Sequence, residues 1–328
     1  MAAATDPDTE VSVEFFPIIR QFKSGRVERF MNPDPVPAGT DPATGVVSKD
    51  AAVDPATGLW ARLFLPPGST SGHGPKKKLP VVVYYHGGAY VIGSAADPFT
   101  HHYLNALVAE AGVLAVALEY RLAPEHPLPA AYEDSWQGLK WVASHATAAG
   151  GSAEPWLLEH GDFSRVFLAG ASAGGTIAHN MAVRAGEQRL GLPIRGLLVV
   201  HPYFSGAADI ADEGTASGKA AKARADAFWR FLYPGSPGLD DPLSNPFSEA
   251  AAGSAARVAA ERVLVCVAEK DDLRDRGVWY YENLKASGYA GEVELLESVG
   301  EGHVFYCINP KCDKAREMQE RVISFLRK

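Results

Sequence analysis

Cysteine is scarce. The 328-residue chain holds three, Cys266, Cys307 and Cys312. That number excludes a disulfide framework and suits a reducing compartment. Cys307 and Cys312 lack a second ligand pair at metal-binding spacing, so no metal site is expected. Positive charge is not in excess. The 31 lysines and arginines stand against 39 acidic residues, giving a net charge of −8 with no basic block, which argues against a nucleic-acid partner. No apolar run approaches a membrane span, so no membrane partner is expected. Residues Met1 to Glu10 are small, polar and acidic, without the basic and apolar segments of a secretory signal. The C-terminal Phe325 to Lys328 matches no retention or peroxisomal signal. The expected location is the cytoplasm, with the nucleus also open to it. No protein partner is indicated.

What is present is ordinary globular composition, 47% hydrophobic and 21% charged residues, in a chain long enough for one large α/β domain. It is organised around Val166-Phe167-Leu168-Ala169-Gly170-Ala171-Ser172-Ala173-Gly174-Gly175. This reads as a buried strand running into a Gly-x-Ser-x-Gly turn, then a helix over 175–185. Such a reversal strains the middle residue, exposes its side chain at the sheet's edge, and aims helical N–H groups at it. Ser172 is thus a candidate nucleophile. Close packing of a strand and a helix through small residues is the plainer reading of the same pattern.

Around it the pattern alternates. Strands are expected over 46–53, 59–65, 79–85, 113–120, 165–169, 194–201, 263–268 and 293–299. Helices are expected over 98–111, 129–145, 275–287 and 313–327. This implies a mostly parallel sheet covered by helices on both faces, with function collected at the strands' carboxyl ends. Residues 68–78 read as a Gly/Ser/Lys loop. Two stretches fall outside the pattern, 1–45 and 205–260.

The candidate chemistry sits after the strands. An acid, Asp271, follows the strand at 263–268, and His303 follows the strand at 293–299. The order Ser, Asp, His is that of a hydrolase triad on such a sheet. Asp271 would orient His303, which would take the proton of Ser172. Asp272 is the competing acid, and Asp275 reads as a helix cap. Gly87 and Gly88, after the strand at 79–85, can aim backbone N–H groups at a developing oxyanion together with Ala173. His101, His102, His126, His179 and His201 read as structural.

With these residues in hand, the chain resembles the hormone-sensitive-lipase-like branch of the α/β-hydrolases, and within it the plant carboxylesterases. The resemblance extends over nearly the whole chain. It includes His86-Gly87-Gly88, the run Glu119 to Pro127, Tyr132 to Trp136, Gly170 to Gly174, His201-Pro202-Tyr203-Phe204 and Gly302 to Phe305. It implies an α/β-hydrolase fold as one domain over 1–328, with a cap built from 1–45 and about 205–260. It also implies a serine carboxylesterase that acts on small hydrophobic or phenolic acyl esters without a cofactor. Ser172, Asp271 and His303 would form the triad, and Gly87, Gly88 and Ala173 the oxyanion hole. Phe16, Tyr203, Phe228, Trp229 and Phe231 are candidates for contacting substrate or for packing the cap down. The family also contains gibberellin receptors, which replace the catalytic histidine, and relatives of 2-hydroxyisoflavanone dehydratase, which eliminate water and often carry threonine at the nucleophile position. Receptor-like binding and dehydratase chemistry are therefore the alternatives. Two positions depart from the family's pattern, Ala171 and the pair Tyr306-Cys307.

Overall fold

The computed structural model describes residues 6–69, 78–147 and 154–328. The loop expected over 68–78 lies, but for its ends, outside them. Strands β1 (Val11–Phe15), β2 (Ile19–Phe22) and β3 (Val27–Arg29) form a small antiparallel sheet. The expected hairpin follows as β4 (Val47–Asp54) and β5 (Leu59–Leu65). The alternating part comprises β6 (Leu79–Tyr85), α1 (Pro98–Ala111), β7 (Leu114–Leu118), α2 (Ala130–Ser144), α3 (Pro155–His160), β8 (Gly161–Ala171), α4 (Ala173–Glu187) and β9 (Ile194–Val200). It continues with α5 (Ala216–Leu232), β10 (Arg262–Ala268), α6 (Arg274–Ala286), β11 (Glu292–Ser298), α7 (Phe305–Ile308) and α8 (Asp313–Arg327).

The main sheet has eight strands in the order β11-β10-β9-β8-β6-β7-β5-β4. Neighbours from β11 to β7 run parallel, and β5 runs antiparallel to both β7 and β4. Because successive side chains leave opposite faces, each central strand feeds two cores. Val166 and Leu168 of β8 join one; Phe167 and Ala169 join the other. The first core is covered by α2, α4 and α6 through Trp136, Leu139, Ile177, Met181, Tyr280 and Leu284. The second is covered by α1 and α8 through Leu104, Leu107, Val108, Met318, Val322 and Phe325. Strand β6 is buried along its whole length, as its unbroken apolar run requires between two helical layers.

Helix ends follow local chemistry. The Asp97 side chain caps α1 by accepting from the Thr100 N–H at 2.9 Å, Pro98 opens the helix, and Gly112 closes it in left-handed backbone (φ 69°). Asp275 does not cap α6: the residue preceding the helix is Leu273, and the Asp275 carboxylate pairs with Arg274. The cap position is filled instead by the turn that Asp271 organises.

The two stretches outside the alternation meet. Phe15 and Ile19 are buried, and the ring of Phe15 lies edge-on to Phe228 (centroids 4.8 Å) and beside Phe231 (5.4 Å) of α5. Helix α5, which carries Phe228, Trp229 and Phe231, begins at a Thr215 cap that accepts from the Gly218 N–H at 3.1 Å. Among the described residues no helix is long and apolar enough to cross a membrane.

Candidate active site

Ser172 links β8 to α4 with φ 54° and ψ −123°, a conformation that a residue with a side chain adopts only when its surroundings enforce it. They do so on both sides. The Ser172 N–H donates to the Val200 carbonyl at 2.9 Å, and its carbonyl accepts from Gly175 N–H at 3.0 Å and Tyr203 N–H at 3.3 Å. The flanking glycines are sterically required. A Cβ on Gly170 would stand 2.1 Å from the Gly174 oxygen, and one on Gly174 would stand 2.0 Å from the Tyr85 oxygen. The turn is therefore as tight as the Gly-x-Ser-x-Gly spacing implied.

Strand β6, beside β8, brings the second group. A Cβ on Gly87 would stand 3.4 Å from the Ser172 Cβ, so this backbone touches the serine. Gly88 has φ 114°, and its carbonyl accepts from the N–H groups of Val91 (3.0 Å) and Ile92 (2.9 Å). Among the described residues no protein acceptor is found for the N–H groups of Gly87, Gly88 or Ala173. Free, fixed donors next to a serine oxygen are what a developing oxyanion needs. The loop is held from behind. Tyr120 donates its hydroxyl to the His86 carbonyl at 2.8 Å and stacks on the His86 ring at 4.0 Å.

Strands β10 and β11 bring the third group. The Nδ1 of His303 and the Oδ2 of Asp271 lie 2.7 Å apart. The other carboxylate oxygen of Asp271 accepts from the Leu273 N–H at 2.9 Å. Asp271 is buried and Asp272 is exposed, so the acid that pairs with histidine is the first of the two adjacent aspartates. The His303 side chain remains 37% exposed, which leaves it reachable by a substrate and by water.

One partner was passed over as structural. His201, at the end of β9, is 1% exposed, and its Nδ1 lies 3.8 Å from Asp271 Oδ2. That Nδ1 accepts from the Val304 N–H at 2.9 Å. Burial above all holds its imidazole down at about 4; His303 adds to the depression and Asp271 opposes it. The sequence signals were its place at a strand end and its position in the motif His201-Pro202-Tyr203-Phe204. The donor atoms of His201, Asp271 and His303 all lie within 4.8 Å of one another, a spacing a metal ion accepts. Both Nδ1 atoms are already committed within the protein, His303 to Asp271 and His201 to Val304. Burial pushes the thiols of Cys266 and Cys307 up to about 12, so both stay protonated and neither competes as a nucleophile.

The aromatic candidates divide. Trp229 is fully buried and donates its indole N–H to Ser236 at 2.9 Å; Phe228 is buried against Phe15. These two anchor the packing of α5. Phe231 is half-buried, and Phe16 is 62% exposed against Phe30. Tyr203, half-buried, is joined to Ser172 through its backbone and stacks on Trp229 at 6.1 Å.

The chain is similar to known proteins. Residues 82–307 match the family model described as alpha/beta hydrolase fold. A 2-hydroxyisoflavanone dehydratase of Glycyrrhiza echinata is 43% identical over 99% of this chain and 100% of its own. The chloroplastic tuliposide A-converting enzyme 1 of Tulipa gesneriana is 44% identical over 98% of this chain and 79% of its own. The probable carboxylesterase 2 of Arabidopsis thaliana is 41% identical over 97% and 96%. Among solved structures, a hyperthermophilic esterase from Pyrobaculum calidifontis superposes with a TM-score of 0.65 at 27% identity, covering 85% of this chain and 84% of that one. These relatives correct the expected cytoplasmic location, because the tulip enzymes are named as chloroplastic or amyloplastic. Scarce cysteine suits a reducing compartment, and that alone does not single out the cytoplasm.

Proposed function

The chain belongs to the α/β-hydrolase family, and from that premise we propose that this carboxylic ester hydrolase works through Ser172, His303 and Asp271. The observation that carries the reading is the 2.7 Å pairing of His303 with buried Asp271, one strand end after another from a serine held at φ 54°. Ser172 Oγ attacks the ester carbonyl while His303 takes its proton. The N–H groups of Gly87, Gly88 and Ala173 receive the oxyanion. The alcohol leaves with the proton from His303, and water activated by the same imidazole releases the acid and restores Ser172. The substrate class is small hydrophobic or phenolic acyl esters. Half-buried aromatic Tyr203, bonded through its backbone to Ser172, supports it. We further read 1–328 as one hydrolase domain whose cap is made from 1–45 and about 205–260; the packing of Phe15 on α5 supports that.

The test is hydrolysis of p-nitrophenyl acetate and butyrate by the wild type, Ser172→Ala and His303→Ala. The expected loss in either variant is about 10³-fold or more in kcat. Full activity in Ser172→Ala or in His303→Ala overturns the assignment. A dehydratase reading is favoured by one observation, 43% identity to such an enzyme along its entire length. It requires turnover of a 2-hydroxyisoflavanone with release of water and little ester cleavage.

A further inference from the structure

Two residues beside the site occupy left-handed backbone although neither is glycine. They are His201, with φ 45°, and Val304, with φ 47° and ψ 32°. For β-branched Val304 this region is especially unfavourable, so something must hold it. The two residues face each other. The Val304 N–H donates to His201 Nδ1 at 2.9 Å, and the His201 N–H donates to the Cys266 carbonyl of β10 at 2.8 Å. The imidazole is thus rooted in the central sheet and grips the peptide immediately after His303.

The chemistry of that contact is specific. Nδ1 accepts from a backbone N–H, so the ring is neutral and its proton is on Nε2. A protonated ring would set donor against donor. Burial keeps it neutral, with His303 adjacent at 5.8 Å between ring centroids. The buried Nε2 finds no hydrogen-bond partner among the described residues. An apolar side chain would remove the unpartnered Nε2 but leave the Val304 N–H without its acceptor, so the ring's value here lies in its other nitrogen.

That nitrogen has a use. The bond from His303 Nδ1 to Asp271 fixes one atom of the catalytic ring but leaves the ring free to pivot about it. The second constraint has to come from the backbone of 303–304, which is the peptide that His201 grips. We propose that His201 is a positioning residue for the general base, a neutral imidazole whose Nδ1 holds the strained turn at Val304 and so fixes the His303 ring. The proposal rests on the reading of Ser172, His303 and Asp271 as the reacting groups.

The experiment compares His201→Ala, His201→Asn and His201→Gln, with Ser172→Ala and His303→Ala alongside. Rates on p-nitrophenyl butyrate are normalised to active sites titrated with an organophosphate. Asparagine places its Oδ1 near the position of Nδ1 and can accept from Val304. Glutamine is equally polar, but its acceptor lies one bond further out. The expected result is a kcat lowered about 10- to 100-fold in His201→Ala and His201→Gln, with KM within about 2-fold, since a base misplaced by an ångström costs on that scale. His201→Asn should recover to within about 5-fold of wild type. If the alanine variant does not fold, the contrast between asparagine and glutamine decides. Equal rates in those two variants, or a loss that lies wholly in the number of titratable sites, overturn the inference. Should Ser172→Ala or His303→Ala stay active, the underlying reading fails instead, whatever His201 does.

Discussion

At Gly87 a Cβ would stand 3.0 Å from the Ala171 oxygen and 3.4 Å from the Ser172 Cβ, tight but within reach of a small backbone shift. At Gly88 it would stand 2.0 Å from the Ile92 oxygen, at φ 114°, and no small shift relieves that. The two glycines therefore separate stability from catalysis. Gly87→Ala is expected to fold, with a thermal midpoint within a few degrees of wild type, yet to lose about 10²-fold in kcat as its N–H turns away from the oxyanion. Gly88→Ala is expected to destabilise the protein by about 3 kcal/mol or more, combining overpacking with backbone strain. Thermal unfolding and steady-state rates on the same preparations check both. A Gly87→Ala enzyme with full kcat removes that N–H from the oxyanion hole.

Among the elements, the N-terminal sheet depends on few anchors. Its outward link to the oxyanion loop is Arg29 of β3. Arg29 donates to the carbonyls of Val91 (2.5 Å) and Ala123 (3.2 Å) and forms a two-pronged pair with Glu125. The guanidinium holds the Glu125 carboxyl below the usual carboxylate range. Val91 in turn donates to the Gly88 carbonyl, so β3 is tied to the loop proposed to carry the oxyanion donors. Arg29→Ala is expected to speed amide exchange across β1–β3 about tenfold or more while β6, β8 and β9 keep their protection, because local opening is set by local contacts. Hydrogen exchange read by mass spectrometry checks this. Uniform exchange across both sheets would show that the N-terminal sheet does not open separately.

For the molecule as a whole, buried neutral histidines set the acid limit of stability. Burial holds His179 at about 3, beside the Tyr280 hydroxyl at 2.8 Å, and His101 and His201 at about 4. All three folded values lie below the unfolded one of about 6.5, so the unfolded chain binds protons first. Their contribution is complete above pH ~6.5 and is lost as pH falls toward the folded values, by about 1.4 kcal/mol per pH unit for each ring. Denaturant unfolding between pH 7 and 4 should show this slope, and His179→Gln should reduce it by one ring's share. An unchanged slope would mean that His179 does not carry it.

The sequence by itself determined the strands and helices of the alternating part. Their apolar runs and glycine turns are local signals, and α1 and α8 begin and end where those signals lie. It also announced the tight turn at Ser172, since Gly170 and Gly174 flank it where a Cβ would clash. Tertiary structure decided what depends on contacts between distant segments. The N-terminal sheet of residues 11–29 packs through Phe15 on α5, a partner some two hundred residues away, and that contact buries Phe228. Burial of Asp271 and its bond to His303 separate it from exposed Asp272, and the grip of His201 on Val304 follows from the adjacency of β9, β10 and β11. A hydrogen bond between the ends of strands far apart in sequence leaves no local trace, because only the sheet order brings its two halves together.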